Sequence, residues 1–79
     1  MEQIINHYNS ERKRVDIVDV DIIQIDFIYC ISKFKKYYFL SKNYEQVACY
    51  TKVDNLIKKL DCMLRSRKAN ITEINRGNI

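Results

Sequence analysis

Asp16, Asp19 and Asp21 stand within six positions of one another, and with His7, Cys30, Cys49 and Cys62 they are where ligation or nucleophilic chemistry would first be sought. Three carboxylates could gather a hard cation, but this spacing lacks the glycine and the closing glutamate of a calcium loop. They read as solvated charges on an acidic strand surface. The cysteines are widely spaced, with no Cys-x-x-Cys pair and only one histidine, so they fail the zinc pattern. Reduced thiols in a core are the expectation for them, with no metal site and no cofactor.

Acid–base or nucleophilic catalysis needs a positioned base beside its partner in a site that shields both. His7 lies in the N-terminal head, a segment prone to mobility. The only glycine is Gly77, so no glycine-rich loop can cradle a phosphate. No enzymatic activity is expected.

Binding is better represented. "KFKKYY", residues 33–38, packs Lys33, Lys35 and Lys36 against Phe34, Tyr37 and Tyr38. Lysines neutralise phosphates and aromatic faces accept stacked bases, the two ingredients of a sequence-tolerant grip on single strands. As a hairpin turn, the segment would carry Lys33 and Lys35 on one face and Phe34 and Lys36 on the other. Arg65, Arg67 and Lys68 form a second basic cluster. Equally, aromatic residues dominate small cores and lysines guard sheet edges.

The charge balance sharpens the choice of partner. Residues 1–26 carry three Lys/Arg against six Asp/Glu, whereas residues 27–79 carry eleven against four, within an overall charge of +4. So polarised a chain suits an assembly that itself contains both protein and nucleic acid. Six tyrosines exceed what a core of this size needs, and tyrosine is enriched at protein interfaces.

The elements that must position these residues follow from periodicity. Nine of the seventeen residues from 15 to 31 are Val or Ile, which favours strands because a branched Cβ loses rotamer freedom in a helix. Residues 14–18 read as a short strand and "DVD" (19–21) as its turn. Ile23, Ile25, Phe27, Tyr29 and Ile31 then alternate along the inner side of one long ribbon. Residues 37–41 form a further strand after the basic turn. From Asn43 a three-to-four-residue spacing takes over through Val47, Tyr50, Val53, Leu56, Ile57, Leu60, Met63 and Leu64. It predicts an amphipathic helix over about 52–67, ending in the 65–68 cluster, with "EQVACYT" either its first turns or a fourth strand. The head supports a short helix using Ile4, Ile5 and Tyr8, and residues 71–74 a short strand.

The expected fold is a single α+β domain over residues 1–79: a small antiparallel sheet of three or four strands backed by one main helix, with 1–12 and 75–79 prone to fraying. The region from 15 to 31 holds four aspartates and cannot cross a bilayer as a helix, and no secretory signal is evident, so a cytoplasmic location is expected. The expected function is that of a non-enzymatic binding protein, an inhibitor or modulator of a host nucleoprotein machine such as a nuclease or polymerase. Small phage-borne inhibitors are similar in size and composition, with no motif behind the likeness. The alternative is a DNA- or RNA-binding regulator that sets Lys33, Lys35, Lys36, Arg65, Arg67 and Lys68 against phosphates. Pairing of a sheet edge or of the open sheet face would make a homodimer compatible with either.

Overall fold

The computed structural model describes the backbone of residues 1–77 and the side chains of residues 1–66. Helix α1 (Glu2–Ser10) precedes strands β1 (Val15–Asp19), β2 (Ile22–Ile25), β3 (Tyr29–Phe34), β4 (Tyr37–Lys42) and β5 (Glu45–Tyr50), and helix α2 (Val53–Gly77) closes the chain. The strands form one antiparallel meander in the order β1-β2-β3-β4-β5. Both helices lie over one face of it, a two-layer α+β arrangement.

The sheet has five strands rather than three or four, for two local reasons. The apparent single ribbon over residues 23–31 is a hairpin in which Ile23 pairs with Ile31 and Ile25 with Tyr29. Because the intervening turn holds three residues, the odd positions stay on one face in both strands, and the alternation runs on unbroken through the reversal. Asp26 and Phe27 make that turn with left-handed φ values of 52° and 63°. Phe27, read as core, is instead 65% exposed at its tip. The other reason is β5, where "EQVACYT" takes its strand alternative and draws Val47 and Tyr50 out of the helical stripe.

Helix α2 begins at Val53 and continues past the 65–68 cluster to Gly77. Residues 71–74, read as a strand, are helical in backbone. Ile71 and Ile74 are three apart, a spacing a helix accommodates as readily, and nothing before Gly77 breaks the helix.

The N-terminal head is an integral helix rather than a loose end. Ile4 and Tyr8 of α1 are fully buried with Ile23, Ile25, Tyr29, Ile31 and Leu40 from the sheet and Leu56 and Leu60 from α2. Each such side chain contributes roughly 1.5–3 kcal/mol by leaving water. The Tyr8 hydroxyl donates to the Ile57 carbonyl at 3.5 Å. Burial chiefly, then the neighbouring Asp61 carboxylate and Glu11, push the Tyr8 phenol above its ordinary pKa, so it keeps its proton.

The cysteines correct the sequence reading. Cys30 is half-buried, Cys49 and Cys62 are exposed, and all three are free thiols. Cys30 and Cys49 fall on the even and bulge-shifted positions of the sheet's open face, and Cys62 on the outward side of α2. No cysteine is among the buried side chains of the core.

Candidate interaction surface

The basic turn is positioned by a two-residue hairpin. Phe34 pairs with Tyr37 and Lys33 with Tyr38, leaving Lys35 and Lys36 at the tip. Lys35 adopts a left-handed φ of 56° there. Alternation then splits the segment. Lys33 and Tyr38 belong to the inner, helix-facing side, where Tyr38 packs against the core. Phe34 and Tyr37 belong to the outer side.

The lysines turn back onto their own aromatic neighbours. Lys35 Nζ lies 5.5 Å from the Phe34 ring centroid, Lys36 Nζ 5.5 Å from Tyr37, and Lys33 Nζ 5.7 Å from Tyr38. Each contact is worth about 0.5–1 kcal/mol at an exposed site. Tyr37 and Tyr38, expected as parts of one platform, therefore face opposite sides of the sheet. Lys33 and Lys35 do not share a face as the strand alternation implied, since Lys35 leaves the ladder at the turn.

The three aspartates are divided as well. Asp16, at the start of β1, is held by Arg14 Nε at 3.0 Å. Asp19, at the far end of β1, accepts the Val20 amide at 2.7 Å. The Asp21 carbonyl accepts from the Lys33 amide at 2.8 Å, so the β1–β2 turn adjoins the basic turn. An acidic tip and a basic tip thus stand side by side at one end of the sheet.

Arg65 is at the other end. Helix α2 starts just after Tyr50, whose partner Tyr38 lies beside the basic turn, and then runs back along the sheet. At one helical rise per residue Arg65 is about 18 Å beyond Val53. There it lines a groove of about 290 Å³ with Tyr8, Glu11, Lys13, Asp61 and Leu64. Arg65 Nε donates to the Asp61 carbonyl at 3.3 Å, and His7 Nε2 lies 3.2 Å from Asp61 Oδ2. Lys33, Lys35 and Lys36 are consequently not brought together with Arg65. The side chains of Arg67 and Lys68 lie outside the described residues.

The open face of the sheet, expected from the sequence without its residues, takes its composition from the strand register. Its rows follow from the ladder: Phe34 and Tyr37 at the top; Asp19, Ile22, Ser32, Phe39 and Cys49 across the middle; Asp16, Gln24, Cys30, Ser41 and Gln46 at the bottom. Asp16 and Asp19, both on the edge strand β1, are the only charged side chains in the three rows, in a chain that is 30% charged. Tyr37 and Phe39 hold their rings 6.3 Å apart on this face. The exposed large apolar side chains, Ile17, Val18, Val20, Phe27, Phe34, Tyr37, Tyr44 and Val47, all belong to strands or their turns. Even positions of β2 and β3 alternating with a known core would have pointed to this face, had the hairpin been visible.

Among the described residues, no group of His, Cys, Asp or Glu converges as metal ligands would. No helix among them is long and apolar enough to cross a membrane. No protein-family model, curated protein or solved structure matches this chain.

Proposed function

We propose that this chain is a non-enzymatic protein-binding domain that docks through the open face of its sheet and acts as an inhibitor or modulator of a larger nucleoprotein assembly. The reading is carried by one observation: the helical layer covers the inner sheet face, whereas the outer face carries charge only on the edge strand β1, at Asp16 and Asp19, and holds Ile22, Phe34, Tyr37 and Phe39 on β2–β4. Interface centres are depleted in charge and enriched in aromatic residues, as this face is. The paired acidic and basic tips above it supply a rim of both signs, which favours a partner surface that is itself mixed.

The same aromatic row favours a second reading, a grip on single-stranded nucleic acid, with Lys35 and Lys36 on phosphates and Phe34, Tyr37 and Phe39 under bases. Neighbouring Asp19 and Asp21 oppose it by offsetting the lysines.

Affinity capture from the source cell, run with the wild type and with Ser41→Lys, tests the first reading. One stoichiometric protein partner that is lost from the variant is the expected result. Titration of single-stranded and duplex DNA and RNA over a salt series tests the second. Affinity that falls steeply with salt, together with a partner unaffected by Ser41→Lys, would overturn the protein-binding reading.

A further inference from the structure

We infer that the outer edge of β1 is a docking site for an extended segment of a partner protein, one that alternates basic and apolar side chains and joins the sheet as a sixth strand. The edge is a surface apart from the open face, and the inference does not depend on how that face is used.

The backbone of β1 can take a strand there. In the meander β1 pairs only with β2. The Asp26 amide donates to the Arg14 carbonyl at 3.0 Å, with Val15 opposite Ile25 and Ile17 opposite Ile23. Bonded and non-bonded pairs alternate along an antiparallel ladder, so Val15 and Ile17 turn their N–H and C=O groups away from β2, to the outside. The side chains leave the same edge unfinished. Ile17 stands beside Ile23 on the helix-covered side, yet it is 67% exposed where Ile23 is fully buried. At Ile17 the helical layer therefore stops one strand short and leaves an apolar step. Val18, the extra residue of the β1 bulge, and Val20 in the following turn are exposed next to it. Natural edges are commonly guarded by Lys or Pro, and β1 has neither.

Charge selects the occupant. Asp16 and Asp19 lie on the open-face side of β1, opposite in sense to Ile17. An added strand that carries Lys or Arg on that side and Val or Ile on the helix side meets the carboxylates with cations and covers the apolar step. Asp16 already holds Arg14 in an exposed pair, whereas Asp19 binds only the amide of Val20, so Asp19 is the freer of the two anchors. A second copy of this chain fits badly. Pairing β1 with its own copy about a two-fold axis keeps both open faces on one side, and so sets four aspartates along two adjoining strands. Nucleic acid would oppose phosphates to the same carboxylates. The bulge and the aspartates thus turn away most strands while leaving the edge open to a basic one.

The probe is an end-blocked, fluorescent heptapeptide of alternating Lys and Val, titrated against the full chain by anisotropy and by amide NMR with hydrogen exchange. The expected result is saturable binding that slows exchange of the Val15 and Ile17 amides, with no binding of the matching peptide of Glu and Val. Two further peptides, N-methylated at the lysines or at the valines, should differ: the one whose methylated amides face β1 loses binding and the other keeps it. Asp16→Lys with Asp19→Lys should weaken binding roughly 10-fold, because two exposed ion pairs become repulsions. Ile17→Pro removes an outward amide without breaking a bond to β2, and should abolish binding with an unchanged circular dichroism spectrum. Ile17→Lys, which leaves the backbone intact and puts a cation on the apolar step, should give the same loss if the proline variant folds poorly. Ser41→Lys, three strands away on the open face, should leave binding as it was. No binding of the Lys and Val peptide, equal binding of the Glu and Val peptide, binding kept by both N-methylated peptides, protection at β5 in place of β1, or loss on Ser41→Lys would each overturn the inference.

Discussion

The two faces of this sheet are built from alternate residues of the same strands, yet they serve opposite ends. On the inner side Ile23, Ile25, Ile31 and Leu40 are fully buried under α1 and α2. One residue away, Ile22, Ser32, Phe39 and Ser41 face outward with nothing of the described chain over them. What differs is coverage: both helices pack on one side, so folding commits the odd side chains of β2 and β3 and leaves the even ones available. Among the described residues no second layer covers that face, and it is where recognition can reside without a cost in stability.

Breaking the inner side should have the largest effect. Leu40→Ala or Leu60→Ala removes a fully buried side chain and should cost about 2–5 kcal/mol, read from the urea midpoint. Next comes the pH limb set by Tyr8. Its pKa is raised in the folded state, so its contribution is fully present below the unfolded tyrosine value near about 10 and is lost as pH rises above it. Urea melts of wild type and Tyr8→Phe between pH 8 and 11 should therefore converge as pH rises.

Two variants sharpen the contrast in the other direction. The Tyr29 hydroxyl is buried without a hydrogen-bond partner, so Tyr29→Phe should raise stability by about 1 kcal/mol, and a loss of similar size would show that the hydroxyl is satisfied. Tyr44 is 95% exposed at the second position of a two-residue hairpin turn, where Asn43 and Tyr44 have φ of 52° and 68°. That turn favours Asn-Gly, so Tyr44→Gly should stabilise by roughly 0.5–1 kcal/mol. The smallest effect belongs to the open face. Ser41→Lys should move the urea midpoint by no more than about 0.5 kcal/mol while removing association, the separation of folding from binding that the two faces imply.

Much of the inner architecture was legible in the residues. Ile23, Ile25, Tyr29 and Ile31 carried the strand alternation, Leu56 and Leu60 the helical stripe, and Ile4 and Tyr8 the head helix, because burial imposes its period on whichever side chains face the core. The reversal at Asp26 and Phe27 was not legible, since no glycine marks it and three turn residues preserve the odd-even phase. The end of α2 was hidden for a similar reason: a basic cluster suits a helix terminus but does not enforce one. The candidate site fared worse. Residues 33–38 were correctly placed at a turn, yet the ladder sent Tyr37 and Tyr38 to opposite faces, and Arg65 went to the far end because a helix following β5 must return along the sheet.

By itself the sequence determined the class of the fold and which side chains leave water, since hydrophobic period and residue propensity are local properties of the chain. Tertiary structure alone decided which charges become neighbours and which face stays open. Asp21 meets Lys33 through a backbone hydrogen bond between residues twelve apart, and His7 meets Asp61 across fifty-four positions. Such encounters depend on the strand register and on the direction in which two helices cross a sheet, and neither is written in any one segment.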